Sequence, residues 1–246
     1  MHSLWMQCKF ETIRILRNPY YVFWSLFIPI LFYFLFTKVF TFENPNITNY
    51  KAHLLMSMTT FSVMGSGIMT LGIRLVEERS KGWLLFMQTT PLSPKVYFFS
   101  KMFSQSIIHI ISVVVIFFVG GVVNSVALSF SEWLFAGIWI IIGSLPFLAI
   151  GTLIGTIKRV DTATGISNVL YMALAMTGGM WMPIEIMPSY IQKVSVWLPA
   201  FNLGNGAWAI VSGSAPEFKN VLILIGYLFL FMLLSSYIRR KQNAVV

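Results

Sequence analysis

Few residues in this chain have the type and spacing to do chemistry. Its three histidines, His2, His53 and His109, are scattered and lack an obvious carboxylate partner. No pair of acids stands at metal-ligand spacing, so neither a catalytic residue nor a metal site is expected. The run Gly151-Thr152-Leu153-Ile154-Gly155-Thr156-Ile157-Lys158 has the outline of a phosphate-binding loop. Its lysine is misplaced, however, no Ser or Thr follows it, and no strand precedes it. If cargo is moved with ATP, another chain must bind the nucleotide. The densest charged run is Glu77-Glu78-Arg79-Ser80-Lys81-Gly82, followed at once by Trp83, Leu84, Leu85, Phe86 and Met87 and then by Thr90-Pro91-Leu92-Ser93-Pro94. An apolar cluster rimmed by charge marks a contact with a partner or a membrane. A helix lying only in the headgroups is the competing reading. Ser93 can cap the helix that follows, with Pro94 in its first turn.

The elements that must position these residues lie in a membrane. Hydrophobic residues make up 57% of the chain and charged ones only 10%, against roughly 25% charged in a typical soluble domain. Six apolar stretches, near 20–40, 54–76, 104–126, 133–157, 163–182 and 221–238, each have about the 18–25 residues that cross the hydrocarbon as a helix. With the N-terminus inside, Lys9, Arg14, Arg17, Arg74, Arg79, Lys81, Lys95, Lys101, Lys158, Arg159, Arg239, Arg240 and Lys241 fall on the inner side. Only Lys38, Lys51, Lys193 and Lys219 fall outside, and the acids divide evenly. Lys/Arg bias sets orientation. The expected fold is therefore an all-α membrane protein with six transmembrane helices, multi-pass in the cell membrane, with both termini cytoplasmic. The net charge of +9 is this orientation signal, so no nucleic-acid partner is expected.

A single membrane domain over 1–246 is expected to have three appendages. Residues 1–18 form an interfacial amphipathic helix, broken by Asn18-Pro19 and not a cleavable signal peptide. Residues 77–94 form the longest cytoplasmic loop. Residues 183–214, interrupted by Pro183, Pro188 and Pro199, read as short extracellular helices that re-enter the outer leaflet. The first span is rich in aromatic rings suited to lipid and its interfaces. A kink is expected at Pro146. Asn46-Ile47-Thr48 matches the glycosylation pattern.

Spans two and five differ from the others. Span two carries Thr59, Ser62 and Ser66 among other small and hydroxylated residues, and span five carries Asn168, Met172, Met176 and Gly178. Such helices pack closely against protein. They are candidates to line a translocation path, with tight internal packing or a subunit interface as alternatives. The spans hold almost no mid-membrane carboxylate, which argues against a proton-driven pump and leaves sodium coupling open.

The segment from Glu77 to Gly82, then Thr90-Pro91-Leu92-Ser93-Pro94 and Tyr97, resembles the coupling segment of type-2 ABC exporter permeases. The N-terminal amphipathic helix, six spans in about 250 residues, and Gly178-Gly179 followed by Trp181, Pro183 and Pro188 agree with that resemblance along the whole chain. It implies that two permease subunits, as a homodimer or a heterodimer, sit on two cytoplasmic ABC ATPase subunits that bind ATP and Mg, with no cofactor and no catalysis on this chain. It implies that Glu77, Glu78, Arg79, Lys81, Gly82, Trp83, Leu84 and Pro91 couple the two, either touching the ATPase or bracing the coupling helix. It also implies that spans two and five line the path. Met172, Met176, Met180 and Trp181 favour a hydrophobic or amphipathic cargo, such as a drug, peptide or lipid, since methionine surfaces adapt to varied apolar ligands. The alternatives are a self-contained ion-coupled carrier and a membrane sensor or immunity protein, neither of which needs an ATPase.

Overall fold

The computed structural model describes residues 2–39, 50–90 and 92–243. The glycosylation pattern at 46–48 and Pro91 lie outside the described residues. Every regular element among those described is a helix.

Helix α1 (His2–Leu16) ends at the Asn18-Pro19 break, and α2 (Pro19–Phe34) starts with the proline in its first turn and runs into a π-helical turn, Leu35–Val39. A proline's missing N–H costs nothing there. Helix α3 (Tyr50–Gly65), a π-helical segment Ser66–Leu71 and α4 (Gly72–Ser80) form one continuous helix. After Gly82, which has φ +73°, comes the short α5 (Trp83–Gln88). Ser93 then caps α6 (Pro94–Asn124), its hydroxyl accepting from the Val96 N–H at 3.3 Å.

Helix α7 (Phe130–Gly143) opens on a capping box between Ser129 and Glu132. Pro146 lies in the first turn of α8 (Leu145–Ile154), and the expected kink is a one-residue interruption at Ser144 in the 25-residue span Phe130–Ile154. Then come α9 (Val160–Thr177), a 3-10 turn Ile184–Ile186, α10 (Ser189–Ser195), α11 (Pro199–Val211) and α12 (Phe218–Asn243). Helices α10 and α11 have 7 and 13 residues, too few to cross a bilayer.

Four helices among the described residues are long and apolar enough to cross a membrane: Tyr50–Ser80, Val96–Asn124, Phe130–Ile154 and Phe218–Gln242. Phe23–Val39 is a shorter apolar helix. The 18-residue α9 carries Asp161, Thr162, Thr164, Ser167 and Asn168 on an otherwise apolar background.

The α3–α4 helix is the axis of the fold. Helices α2, α6, α8, α9 and α11 all pack on it or on its π segment. The approach to α8 is closest at Gly151, where a Cβ would run into the Gly67 carbonyl oxygen. Only small residues permit helices to come this near. On α2, Phe23, Phe27, Leu31 and Phe34 are exposed.

Candidate functional site: a charged hub and an uncharged cleft

Two features stand out, and the same helix runs through both. The first lies where α4 meets α1 and α6. Glu78 is 4% exposed and Glu11 3% exposed. Lys101, on α6 and 1% exposed, donates from Nζ to Glu11 Oε2 at 2.7 Å and to Glu78 Oε1 at 2.6 Å. Arg74 Nη2 reaches Glu11 Oε2 at 2.6 Å, and Arg14 Nη1 lies 2.9 Å from Glu78 Oε1. The Tyr97 hydroxyl donates to the other oxygen of Glu78. Two carboxylates are thus shared among three cations and a phenol. Charged hydrogen bonds of this kind are roughly twice as strong as neutral ones. Buried charges demand such partners, because an uncompensated one is costly.

This hub fixes the orientation of α1. Cys8, Glu11 and Ile15 turn into the protein, and beside them Thr12 Oγ1 donates to Ser104 Oγ at 3.1 Å and Ser104 Oγ to the Cys8 carbonyl at 3.3 Å. Trp5 and Phe10 face outward. Tertiary pairing with α6 decides the face that amphipathicity by itself left unassigned.

Arg79, next in sequence to Glu78, leaves the other side of α4. Its guanidinium donates to the carbonyls of Thr156 and Ile157 after α8, and to Gln242 Oε1 on α12 at 3.3 Å. Gln242 Nε2 in turn donates to the Thr156 carbonyl at 2.9 Å. Glu78 and Arg79 therefore tie α4 to α1, α6 and α12 and to the turn that follows α8. Glu77 is half-buried and Lys81 exposed. Gly82 makes the left-handed turn that launches α5, a conformation costly for other residues. The Trp83 and Phe86 rings lie 5.5 Å apart at a tilt of 36° and present an exposed apolar pair, with the Arg14 guanidinium 5.7 Å from the Trp83 ring. Leu84 belongs to the same short helix.

The second feature is a cleft of about 720 Å³ between α2, the α3–α4 helix and α9. Helix α2 contributes Trp24, Ile28 and Phe32, and the central helix contributes Phe61, Ser62, Ser66, Met69 and Thr70. Asn168, Tyr171 and Met172 come from α9, and Trp181 from beyond its end. Among the described residues no charged side chain lines it.

Of the residues singled out for a path, Ser62, Ser66, Asn168 and Met172 meet in this cleft. Thr59 does not: it is fully buried and its hydroxyl donates to the Leu55 carbonyl at 2.7 Å. Met176 is exposed away from the cleft. Gly178 lets the end of α9 press against α11, since a Cβ there would lie 2.7 Å from that of Ala200. The polar groups present are largely satisfied locally: Ser62 Oγ donates to the Ser25 carbonyl at 3.1 Å and Asn168 Nδ2 to the Thr164 carbonyl at 3.1 Å.

Sequence reasoning did not single out Glu11 or Lys101, which the structure brings into the hub. The available signal was Lys101 near the start of the long apolar α6 and Glu11 on the polar side of the amphipathic α1. Among the described residues no three His, Cys, Asp or Glu side chains gather to hold a metal. His109 is buried with its Nδ1 2.8 Å from Ser144 Oγ.

A sequence profile of the ABC-2 family transporter proteins matches residues 36–237, from the end of α2 to within α12. The chain belongs to the ABC-2 transporter family. It is also 56% identical over 245 residues, covering the whole of both chains, to the Bacillus subtilis (strain 168) protein named "Putative transport permease YvfS". As an ABC-2 permease it is a membrane transport protein, and the hub and the cleft are both within the transport subunit.

Proposed function

We propose that this ABC-2 permease is the membrane subunit of an ATP-driven exporter of hydrophobic or amphipathic cargo. One observation carries this reading: a single helix, Tyr50–Ser80, lines the uncharged cleft with Phe61 to Thr70 and ends in the hub with Glu78 and Arg79. A push on one end is felt at the other. About eight residues, or ~12 Å of helix at 1.5 Å per residue, separate Thr70 from Glu78. The Ser66–Leu71 π segment lies at the junction, and π turns often mark functional sites inside helices.

In this reading α2, the α3–α4 helix, α6, α7 with α8, α9 and α12 make six crossings of the cell membrane, with both termini inside. The 183–214 region lies on the outer side, and 77–94 on the inner side. Two permeases, alike or different, pair on two ABC ATPases, which hold the ATP and Mg. The exposed Trp83 and Phe86 of α5 touch the ATPase. Glu78 and Arg79 act behind them, tying α4 to its neighbours so that movement of α5 reaches the cleft. An uncharged cleft lined by methionine and aromatic rings suits apolar cargo.

The test is purification of the tagged chain from its native membranes, with an ATPase assay. An ABC ATPase is expected to co-purify and to be lost on Phe86→Asp, which leaves the permease folded. Reproducible purification without an ATPase would overturn the reading.

A further inference from the structure

The cleft ends at one side chain. Trp181 lines it, and Trp181 also lines a second, much smaller space of about 10 Å³ bounded by Tyr50, His53, Ser57 and the chain at Gly179–Pro183. That is room for about one water. The order along the central helix places the two spaces end to end. Residues 50–57 face the small one and 61–70 face the large one. The change-over falls at Phe61, whose ring centre is 5.7 Å from that of Trp181. Phe32 approaches the same indole from α2 at 6.0 Å, and Tyr171 stacks on Phe61 at 4.7 Å.

We infer that Trp181 is the barrier between the cleft and the outer side of the permease. This rests on the transport reading of the cleft. Three observations support a side chain that can move. The indole N–H is buried and has no hydrogen-bond partner among the described residues, so swinging the ring breaks no polar bond. Trp181 follows the end of α9 by a few residues, where the chain leaves helical geometry at Gly179, with φ +78°. Gly179 itself faces Trp208, whose Nε1 is anchored to Ser57 Oγ at 3.0 Å. The Trp208 indole is held by a hydrogen bond, whereas that of Trp181 is held among the described residues by ring contacts with Phe32 and Phe61 and by no hydrogen bond. Displacing Trp181 would join the 720 Å³ cleft to the small polar space beside His53 and Ser57.

The experiment uses the full chain in its native membranes, with Cys8 replaced by Ala and Asn168→Cys as a reporter in the cleft. A membrane-impermeant trimethylammonium methanethiosulfonate is applied to intact cells and, separately, to inverted vesicles. Methyl methanethiosulfonate, which crosses membranes, reports that the thiol is present and reactive. With Trp181 in place, labelling is expected from one face only. Trp181→Ala is expected to abolish that protection and to give labelling from both faces. Trp181→Leu, a milder change that keeps an apolar side chain, is expected to weaken the protection, and it serves where the alanine variant does not insert. Labelling from both faces with Trp181 present, or protection unchanged in both variants, would overturn the inference. Neither result bears on the ATPase partner, which is read by co-purification, and a reversed orientation would merely exchange the two faces.

Discussion

The central helix Tyr50–Ser80 and the last helix Phe218–Gln242 are both long enough to span a membrane, yet they are built on opposite plans. In the apolar window of the first, 83% is buried inside the protein; in that of the second, 11%. The buried helix is the more polar, holding Thr59, Thr60, Ser62, Ser66 and Gly67. The exposed one shows Leu222, Phe229, Leu230, Leu233 and Tyr237 to its surroundings. In water this would be inverted. In hydrocarbon an apolar side chain gains nothing by hiding, so close packing and hydrogen bonding distinguish inside from outside. The cleft and the hub follow the same division, since both belong to the central helix.

The largest effect that would break this comparison is at the hub. Lys101→Met leaves Glu11 and Glu78 short of their shared cation and is expected to cost on the order of 3–5 kcal/mol. The readout is the loss of a monodisperse, folded permease in detergent thermal-shift chromatography. Adding Glu78→Gln should recover part of it. Thermal stability of Lys101→Met equal to that of the native chain would refute a structural role for the hub.

Next comes the core against the lipid face. Phe61→Ala, in the core of the central helix, is expected to lose about 3–5 kcal/mol. Leu233→Ala on α12 is expected to stay within about 0.5 kcal/mol. Comparable melting temperatures for the two variants would show that burial does not divide these helices. Gly151→Ala sharpens the contrast with less volume. Its Cβ meets backbone at Gly67, and an overpacking cost of about 1–3 kcal/mol is expected. Gly226→Ala on α12 meets nothing, and helix propensity favours it by up to about 1 kcal/mol. Opposite shifts in melting temperature are the expected pair of results.

The smallest effect concerns Cys8, buried against α6 with its thiol pKa pushed up by burial. Less thiolate forms at neutral pH, so alkylation of the folded chain is expected to be slower than after denaturation, and to speed up as pH rises. Equal rates in the two states would mean that α1 is not docked on α6.

Much of the fold was legible because its signals are local. Ser93-Pro94 announces the start of α6 within two residues, and Asn18-Pro19 separates α1 from α2. Pro146 was legible as an interruption, though which residue carries it, here Ser144, is not readable in sequence. The site was less legible. Ser62 and Asn168 were readable as small or polar residues in apolar spans. Their separation from Thr59, Met176 and Gly178 depends on which side of each helix faces α2, and composition says nothing about that.

The amino-acid sequence by itself determined a helical membrane protein of the ABC-2 kind, since apolar length, proline and glycine placement and the order of the motifs are properties of neighbouring residues. Only the tertiary structure decided that Glu78 turns inward to a lysine on α6 and a glutamate-bearing α1, while Arg79 turns the other way to the turn after α8 and to α12. Glu11 and Lys101 are 90 positions apart. Nothing in the chain between them specifies their meeting. It follows from packing three helices together and from the cost of leaving either charge buried alone.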